Sequence, residues 1–138
     1  MDIYTDGALR RYPTFLVGAW CYYIIGRKKS LIRAQIEDYK GITNNRMEMQ
    51  AVIEALKATN EQNITLYTDS QYVVLGLKRN CYSKTNVDLW NQMKIVTQGK
   101  NIKVVHVMGH QDNVGNNIVD LTMRNMLDPL VKELKNEN

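Results

Sequence analysis

The sequence predicts a single α/β domain, residues 1–138, built on a mixed five-stranded sheet with helices on its faces. Three observations carry this. Three β-prone runs come first, separated by short polar segments. Later β-prone runs alternate with segments whose apolar residues recur at helical spacing. The 138 residues are 44% hydrophobic and 23% charged, the balance of a chain that buries a core.

Taken in order, residues 3–6 form a short strand ended by Gly7. Residues 18–25 are aromatic and β-branched, and Gly26-Arg27-Lys28-Lys29 turns the chain into an alternating strand at 30–39. These three strands predict an antiparallel meander. Residues 45–59 switch to a helical period, with Val52, Ala55 and Thr59 on one stripe. A strand at 64–68, a short helix at 70–77, a helix at 87–97, a strand at 102–108 and a helix at 116–134 follow. Pro129 is expected to kink or restart the last helix. The order is β-β-β-α-β-α-α-β-α, and strands separated by helices favour parallel pairing. No internal repeat or linker is visible.

No apolar run is long enough to span a bilayer, so no membrane association is expected. No basic segment followed by an apolar stretch opens the chain, so a cytoplasmic location is expected. Cys21 and Cys81 lack metal-ligand spacing and are read as free thiols. The net charge is +4, with clusters at Arg10-Arg11, Arg27-Lys28-Lys29 and Lys78-Arg79. Such clusters suit a polyanionic partner, or are simply solvated loop charges.

The acidic residues are more telling. Two strands end in nearly the same words, Tyr4-Thr5-Asp6-Gly7 and Tyr67-Thr68-Asp69-Ser70. Each sets a carboxylate at the C-terminal end of a strand, the edge where α/β sheets form ligand sites. The alternative is helix capping, which suits Asp69 better than Asp6. Glu48 lies four residues before Val52 and seven before Ala55, on the helix face that should pack against the sheet. Asp120 repeats the pattern with Met123 and Leu127. Either acid alone could sit solvated at the edge of its stripe. A buried carboxylate otherwise needs a partner, a proton or a metal.

If the four converge, they repel one another and take up protons unless a divalent cation holds them ionised. All-oxygen ligands suit magnesium or manganese. Two such ions about 3.5–4 Å apart can clamp the attacking and leaving oxygens of a phosphodiester. That predicts in-line hydrolysis by an activated water.

Tyr4-Thr5-Asp6-Gly7, Thr43-Asn44-Asn45-Arg46-Met47-Glu48, Thr68-Asp69-Ser70-Gln71-Tyr72-Val73, Asn86-Val87-Asp88-Leu89-Trp90, and Gly109-His110 followed by Asp120 form an ordered set across nearly the whole chain. In this the chain resembles type 1 ribonuclease H, whose members cut the RNA strand of RNA–DNA hybrids. The resemblance implies the ribonuclease H-like fold and a metal-binding tetrad of Asp6, Glu48, Asp69 and Asp120, with two Mg2+ or Mn2+ ions. His110 is similar to a loop histidine that assists proton transfer or product release; it titrates near neutrality, as that role requires. An ordinary loop histidine is the alternative, and His106, inside a strand, is read as structural.

The resemblance also implies hybrid contacts. Gly7 lies beside the first aspartate. Asn45 and Gln71 correspond to residues touching the RNA strand in the minor groove, and Glu48 to one meeting a 2′-hydroxyl. Asn44 and Trp90 correspond to positions lining the DNA side, with simple core as the other reading of Trp90. Thr43 and Asn86 correspond to a pocket for a DNA phosphate. Such contacts position the duplex without reading bases. The protein is expected to act as a monomer on the hybrid.

Three departures stand out. The loop at 7–15 lacks the glycine- and proline-rich run common in the family. Gly41 stands where an arginine often completes the phosphate pocket, with Lys40 beside it. Only Lys78-Arg79-Asn80-Cys81-Tyr82-Ser83-Lys84-Thr85 separates Leu77 from Asn86, so the basic, tryptophan-containing protrusion of many bacterial members is short or absent. Hybrid binding is therefore expected to be weak and strongly salt-sensitive. A non-catalytic nucleic-acid-binding module would be expected to lose a carboxylate, and all four positions remain acidic. A DNA-directed nuclease on the same fold is disfavoured by the Thr-Asn-Asn-Arg-Met-Glu and Asp-Ser-Gln-Tyr segments.

Overall fold

β1 (Asp2–Arg11) alternates as a strand must, with Ile3 and Leu9 turned to one side and Tyr4 and Ala8 to the other. It is followed by β2 (Leu16–Gly26), β3 (Lys29–Glu37), α1 (Asn44–Lys57), β4 (Asn63–Thr68), α2 (Gln71–Arg79), α3 (Val87–Thr97), β5 (Asn101–His106) and α4 (Val114–Glu137). The structure is a computed structural model that describes residues 1–11, 13, 16–26, 29–37, 42–79, 85–108 and 114–137.

The strand order is β3-β2-β1-β4-β5. β1 pairs antiparallel with β2 along its whole length, from Asp2↔Ile25 to Arg11↔Leu16, and β2 pairs likewise with β3. β4 lies parallel to both β1 and β5. The sheet is therefore mixed, as the element order implied. Among the described residues no helix is long and apolar enough to cross a membrane.

Two apolar layers hold the sheet. On one face α1 buries Met47, Met49, Val52, Ile53 and Leu56 against Ile3, Trp20, Tyr22 and Leu66, with Leu89, Trp90 and Met93 of α3 completing the layer. On the other, α4 sets Val119, Met123 and Leu127 on Val17, Ala19 and Cys21. Spacings of three and four along each helix bring these residues onto one face.

Several boundaries differ from those read off the sequence. Gly7 does not end β1: pairing with β2 carries the strand on to Arg11, so Asp6 is a mid-strand residue. α1 stops at Lys57, and Thr59 lies beyond it, its hydroxyl oxygen accepting from Glu61 N–H. α4 runs as one helix through Pro129, without the expected restart. Next to that proline, Asp128 is tied to Arg10 of β1 at 3.0 Å. Cys21 is a free, buried thiol. Cys81 with the rest of the loop at 80–84, Lys40, Gly41 and the Arg27-Lys28 turn lie outside the described residues.

Candidate active site

The repeated Tyr-Thr-Asp words are in register. Tyr4 pairs with Tyr67 across the β1–β4 ladder, their rings stacked at 4.4 Å. That ladder stops at this pair, while each chain continues. Two residues on, Asp6 and Asp69 come side by side where the strands part. Asp69 does not cap α2, because Ser70 does: its Oγ accepts from Val73 N–H at 3.2 Å and its carbonyl from Val74 N–H at 3.1 Å. The Asp69 carboxylate is thereby released from the capping duty that its position suggested.

Glu48 reaches the same place from the far face of the sheet, and Gly7 makes this possible. A Cβ at Gly7 would lie 2.4 Å from Glu48 N and from Met47 C, so only glycine lets the first turns of α1 close onto β1. The Gly7 N–H donates to Glu48 Oε1, and also to Asp6 Oδ1 at 3.0 Å. One oxygen from each of Asp6, Glu48 and Asp69 lies within 4.8 Å of the others.

This cluster is poor in positive charge. Asp6 and Glu48 are only 6% and 7% exposed. Burial, reinforced by the Asp69 charge, pushes the Asp6 carboxyl from 3.8 up to about 7, against the opposing effect of hydrogen bonds to Glu48 and Gly7. Burial and the charges of Asp6 and Asp69 push Glu48 well above its ordinary value. Among the described residues Glu48 Oε2 is buried with no hydrogen-bond partner. A hard divalent cation fits this donor set: three carboxylates, one buried lone-pair oxygen unspent, and electrostatics that favour gaining positive charge. Beneath Asp6, its register partner Cys21 is pushed up to about 12 by burial and by the Asp6 charge, which makes it an inert thiol.

Asp120 is placed differently. It lies on α4 over the same face as Asp6, near enough for its charge to raise the Asp6 carboxyl further. Its Oδ2, however, forms an ion pair with Arg124 Nη2 at 2.9 Å, one helical turn on, and its side chain is 43% exposed. The structure therefore gathers three of the four acids and holds the fourth at the rim. His110 lies outside the described residues.

The candidate substrate residues fall in two groups. Asn44 and Asn45 are exposed on the first turn of α1, one turn before Glu48, and Gln71 is exposed at the start of α2, next but one to Asp69. The others belong to a hydrogen-bonded network. Thr43 caps α1, its Oγ1 accepting from Arg46 N–H at 3.1 Å, which leaves its own proton to donate. Arg46 donates to both carboxylate oxygens of Asp88, at 2.9 and 2.8 Å, and to Asn86 Oδ1 at 3.3 Å. Asn86 sits in the left-handed region, φ 56°, which asparagine tolerates better than most residues. Its Nδ2–H donates to Tyr72 Oη at 3.1 Å, and Trp90 Nε1–H donates to the same oxygen at 3.0 Å.

Trp90 is thus core. It is 2% exposed and packs so tightly under Gly76 that a Cβ there would meet its ring at 2.0 Å. Of the two readings of this residue, a DNA-facing side chain does not agree with that burial. Sequence reasoning missed Tyr72, the acceptor shared by Asn86 and Trp90, and Arg46, the cation that joins α1 to α3. Both stood inside quoted motifs, but their partners are 14 to 42 residues away.

Fold and site together define a carboxylate-centred α/β protein suited to divalent-cation chemistry. A family model for RNase H matches residues 1–127. Ribonuclease H of Caldicellulosiruptor saccharolyticus is 34% identical, over 91% of this chain and 94% of its own length. Ribonuclease HI of Campylobacter jejuni is 32% identical, over 96% and 94%. A solved structure, LC9-RNase H1, described as a type 1 RNase H with the type 2 active-site motif, superposes with a TM-score of 0.64 at 21% identity. It covers 88% of this chain and 68% of that one, and supports the fold. The chain belongs to the RNase H family.

Proposed function

We propose that this chain is a ribonuclease H that hydrolyses the RNA strand of RNA–DNA hybrids, largely without regard to sequence. The observation that carries the reading is the convergence of Asp69 on the buried pair Asp6 and Glu48, with a Glu48 oxygen that no described residue bonds. Family membership narrows the substrate to the hybrid. Asp6, Glu48 and Asp69 would hold Mg2+ or Mn2+, with Asp120 joining them once it leaves Arg124 and two ions completing the centre. Bound there, the metal supplies Lewis-acid polarisation of the phosphodiester.

The protein's own part is positioning. The Gly7 N–H fixes Glu48 Oε1, and the raised affinity of Asp6 and Glu48 for positive charge draws the cation in. Asn45 and Gln71 face the RNA strand and Asn44 the DNA strand. Thr43, with its hydroxyl proton available, and the Asn86 region receive a DNA phosphate. Trp90 supports that region from beneath, through Tyr72. His110 carries a proton at the leaving group or aids product release.

Labelled hybrid, duplex DNA and duplex RNA, each with Mg2+ and with Mn2+, test the assignment beside an Asp69→Asn control. Cleavage confined to the RNA strand of the hybrid, and lost in the control, is expected. Cleavage of duplex DNA, or activity surviving in Asp69→Asn, would sink it.

A further inference from the structure

His106 is the last residue of β5, opposite Thr68 at the end of the parallel ladder with β4. The ladder's final bond runs from Val107 N–H to the Thr68 carbonyl, at 2.9 Å. The next carbonyl belongs to Asp69, and among the described residues no backbone N–H donates to it. Val107 has spent its N–H on Thr68. The helical ladder of α2 begins one residue later, with the Ser70 carbonyl accepting from Val74. The Asp69 carbonyl thus falls in the gap between a strand that has ended and a helix that has not begun. His106 fills that gap from the side, its Nε2 lying 3.2 Å from Asp69 O.

We infer that His106 is a positioning residue that holds the Asp69 peptide unit in place by donating Nε2–H to its carbonyl, and so sets the direction of the Asp69 carboxylate in the cluster. The inference rests on the metal-site reading above. A carbonyl accepts only, so the imidazole must carry its proton on Nε2. That bond is kept whether the ring is neutral or cationic, so the device does not depend on titration of His106. Without it, the carbonyl of the peptide between Asp69 and Ser70 loses its donor; that peptide keeps its N–H bond to Thr68 Oγ1 at 3.1 Å and the Ser70 cap, but the carboxylate gains freedom relative to Asp6 and Glu48. Partners that orient a metal ligand typically matter about 10- to 100-fold in metal affinity or activity.

The test compares wild type, His106→Phe and His106→Gln. Mn2+ binding is read by calorimetry without substrate, kcat and KM by hybrid cleavage, and folding by thermal melts. His106→Phe keeps a ring and removes the donor; it should lower Mn2+ affinity and kcat each about tenfold and leave KM for the hybrid unchanged. His106→Gln restores an N–H donor and should recover most of both. Equal Mn2+ affinity and kcat in all three proteins would overturn the inference, as would a glutamine variant no better than phenylalanine. Should the phenylalanine variant not fold, nitrogen-15 NMR of the wild-type imidazole at pH 8 decides: an Nε2–H tautomer is expected, and an Nδ1–H tautomer refutes the proposal. A wild-type protein that binds Mn2+ but leaves the hybrid intact counts against the hybrid assignment alone.

Discussion

Arg46 and Glu48 stand two residues apart at the start of α1 and meet opposite electrostatic fates. Arg46 is held by both oxygens of Asp88 and by Asn86, and the guanidinium lowers the Asp88 carboxyl to about 2. Glu48 faces Asp6 and Asp69, its own carboxyl is driven upward, and one of its oxygens is buried without a hydrogen-bond partner among the described residues. The Arg46 network achieves neutrality from within the chain. The Glu48 cluster leaves neutrality to a proton or a cation from outside. That asymmetry, more than acidity as such, separates a structural ion pair from a binding site.

The largest effects should come from removing charge in the cluster. Glu48→Gln and Asp69→Asn are each expected to reduce hybrid cleavage by more than about a thousandfold, or a little over 4 kcal/mol of barrier at about 1.4 kcal/mol per decade. In a chelating buffer above pH 7 the same changes should raise the melting temperature, because each relieves repulsion among the clustered carboxylates. Opposite signs for activity and stability mark a functional site. Lower melting temperatures for both variants under those conditions would mean that the cluster is structural after all.

Proton linkage sharpens the same contrast. Asp6 moves from 3.8 to about 7 on folding. A raised folded value means that the native state holds a proton the unfolded chain has released. Metal-free stability should therefore fall as pH rises from about 4 to about 7 and level off above. One unit corresponds to about 1.4 kcal/mol, so the total is several kcal/mol. Added Mn2+ should raise the melting temperature strongly at pH 8 and little at pH 5. Asp6→Asn should flatten the pH profile. A wild-type profile that rises from pH 4 to 7 would contradict the repulsion argument.

Much of this was legible in the sequence because it is written locally. Element order follows from local periodicity, and Glu48 and Asp120 declared themselves on apolar stripes. The twin Tyr-Thr-Asp words proved to be register partners. What stayed hidden depends on tertiary pairing. β1 continues past Gly7 because β2 runs beside it, which no local turn signal reports. Gly7 looked like a strand terminator, yet it is a close-approach glycine for a helix 41 residues away. Ser70 took the cap that Asp69 could equally have filled, since both residue types suit the position. Trp90 read equally as core or as a DNA-facing side chain, and only its tertiary neighbours, the α1 layer together with Tyr72 and Gly76 of α2, decide for core.

The network offers the smaller tests. Tyr72→Phe removes the acceptor shared by Asn86 and Trp90, and with Trp90 buried the loss should be about 1–3 kcal/mol of stability. KM for the hybrid should rise with it, because Asn86 then keeps its bond from Arg46 but loses the one to Tyr72. An unchanged KM would detach this network from substrate binding.

Asp88→Ala is the mildest change. Its carboxylate is bidentate with Arg46 and lies in the first turn of α3, but its side chain is 60% exposed. Solvent screening limits such a pair to about 0.2–1 kcal/mol, and added salt should shrink even that. The contribution of a lowered carboxyl is lost as pH falls from its ordinary value, 3.8, through the folded value of about 2, so it is fully present at neutral pH. A double-mutant cycle of Arg46→Ala with Asp88→Ala measures it directly. A coupling energy well above 1 kcal/mol would show that the network is far stiffer than an exposed ion pair, and that the contrast with the carboxylate cluster is sharper still.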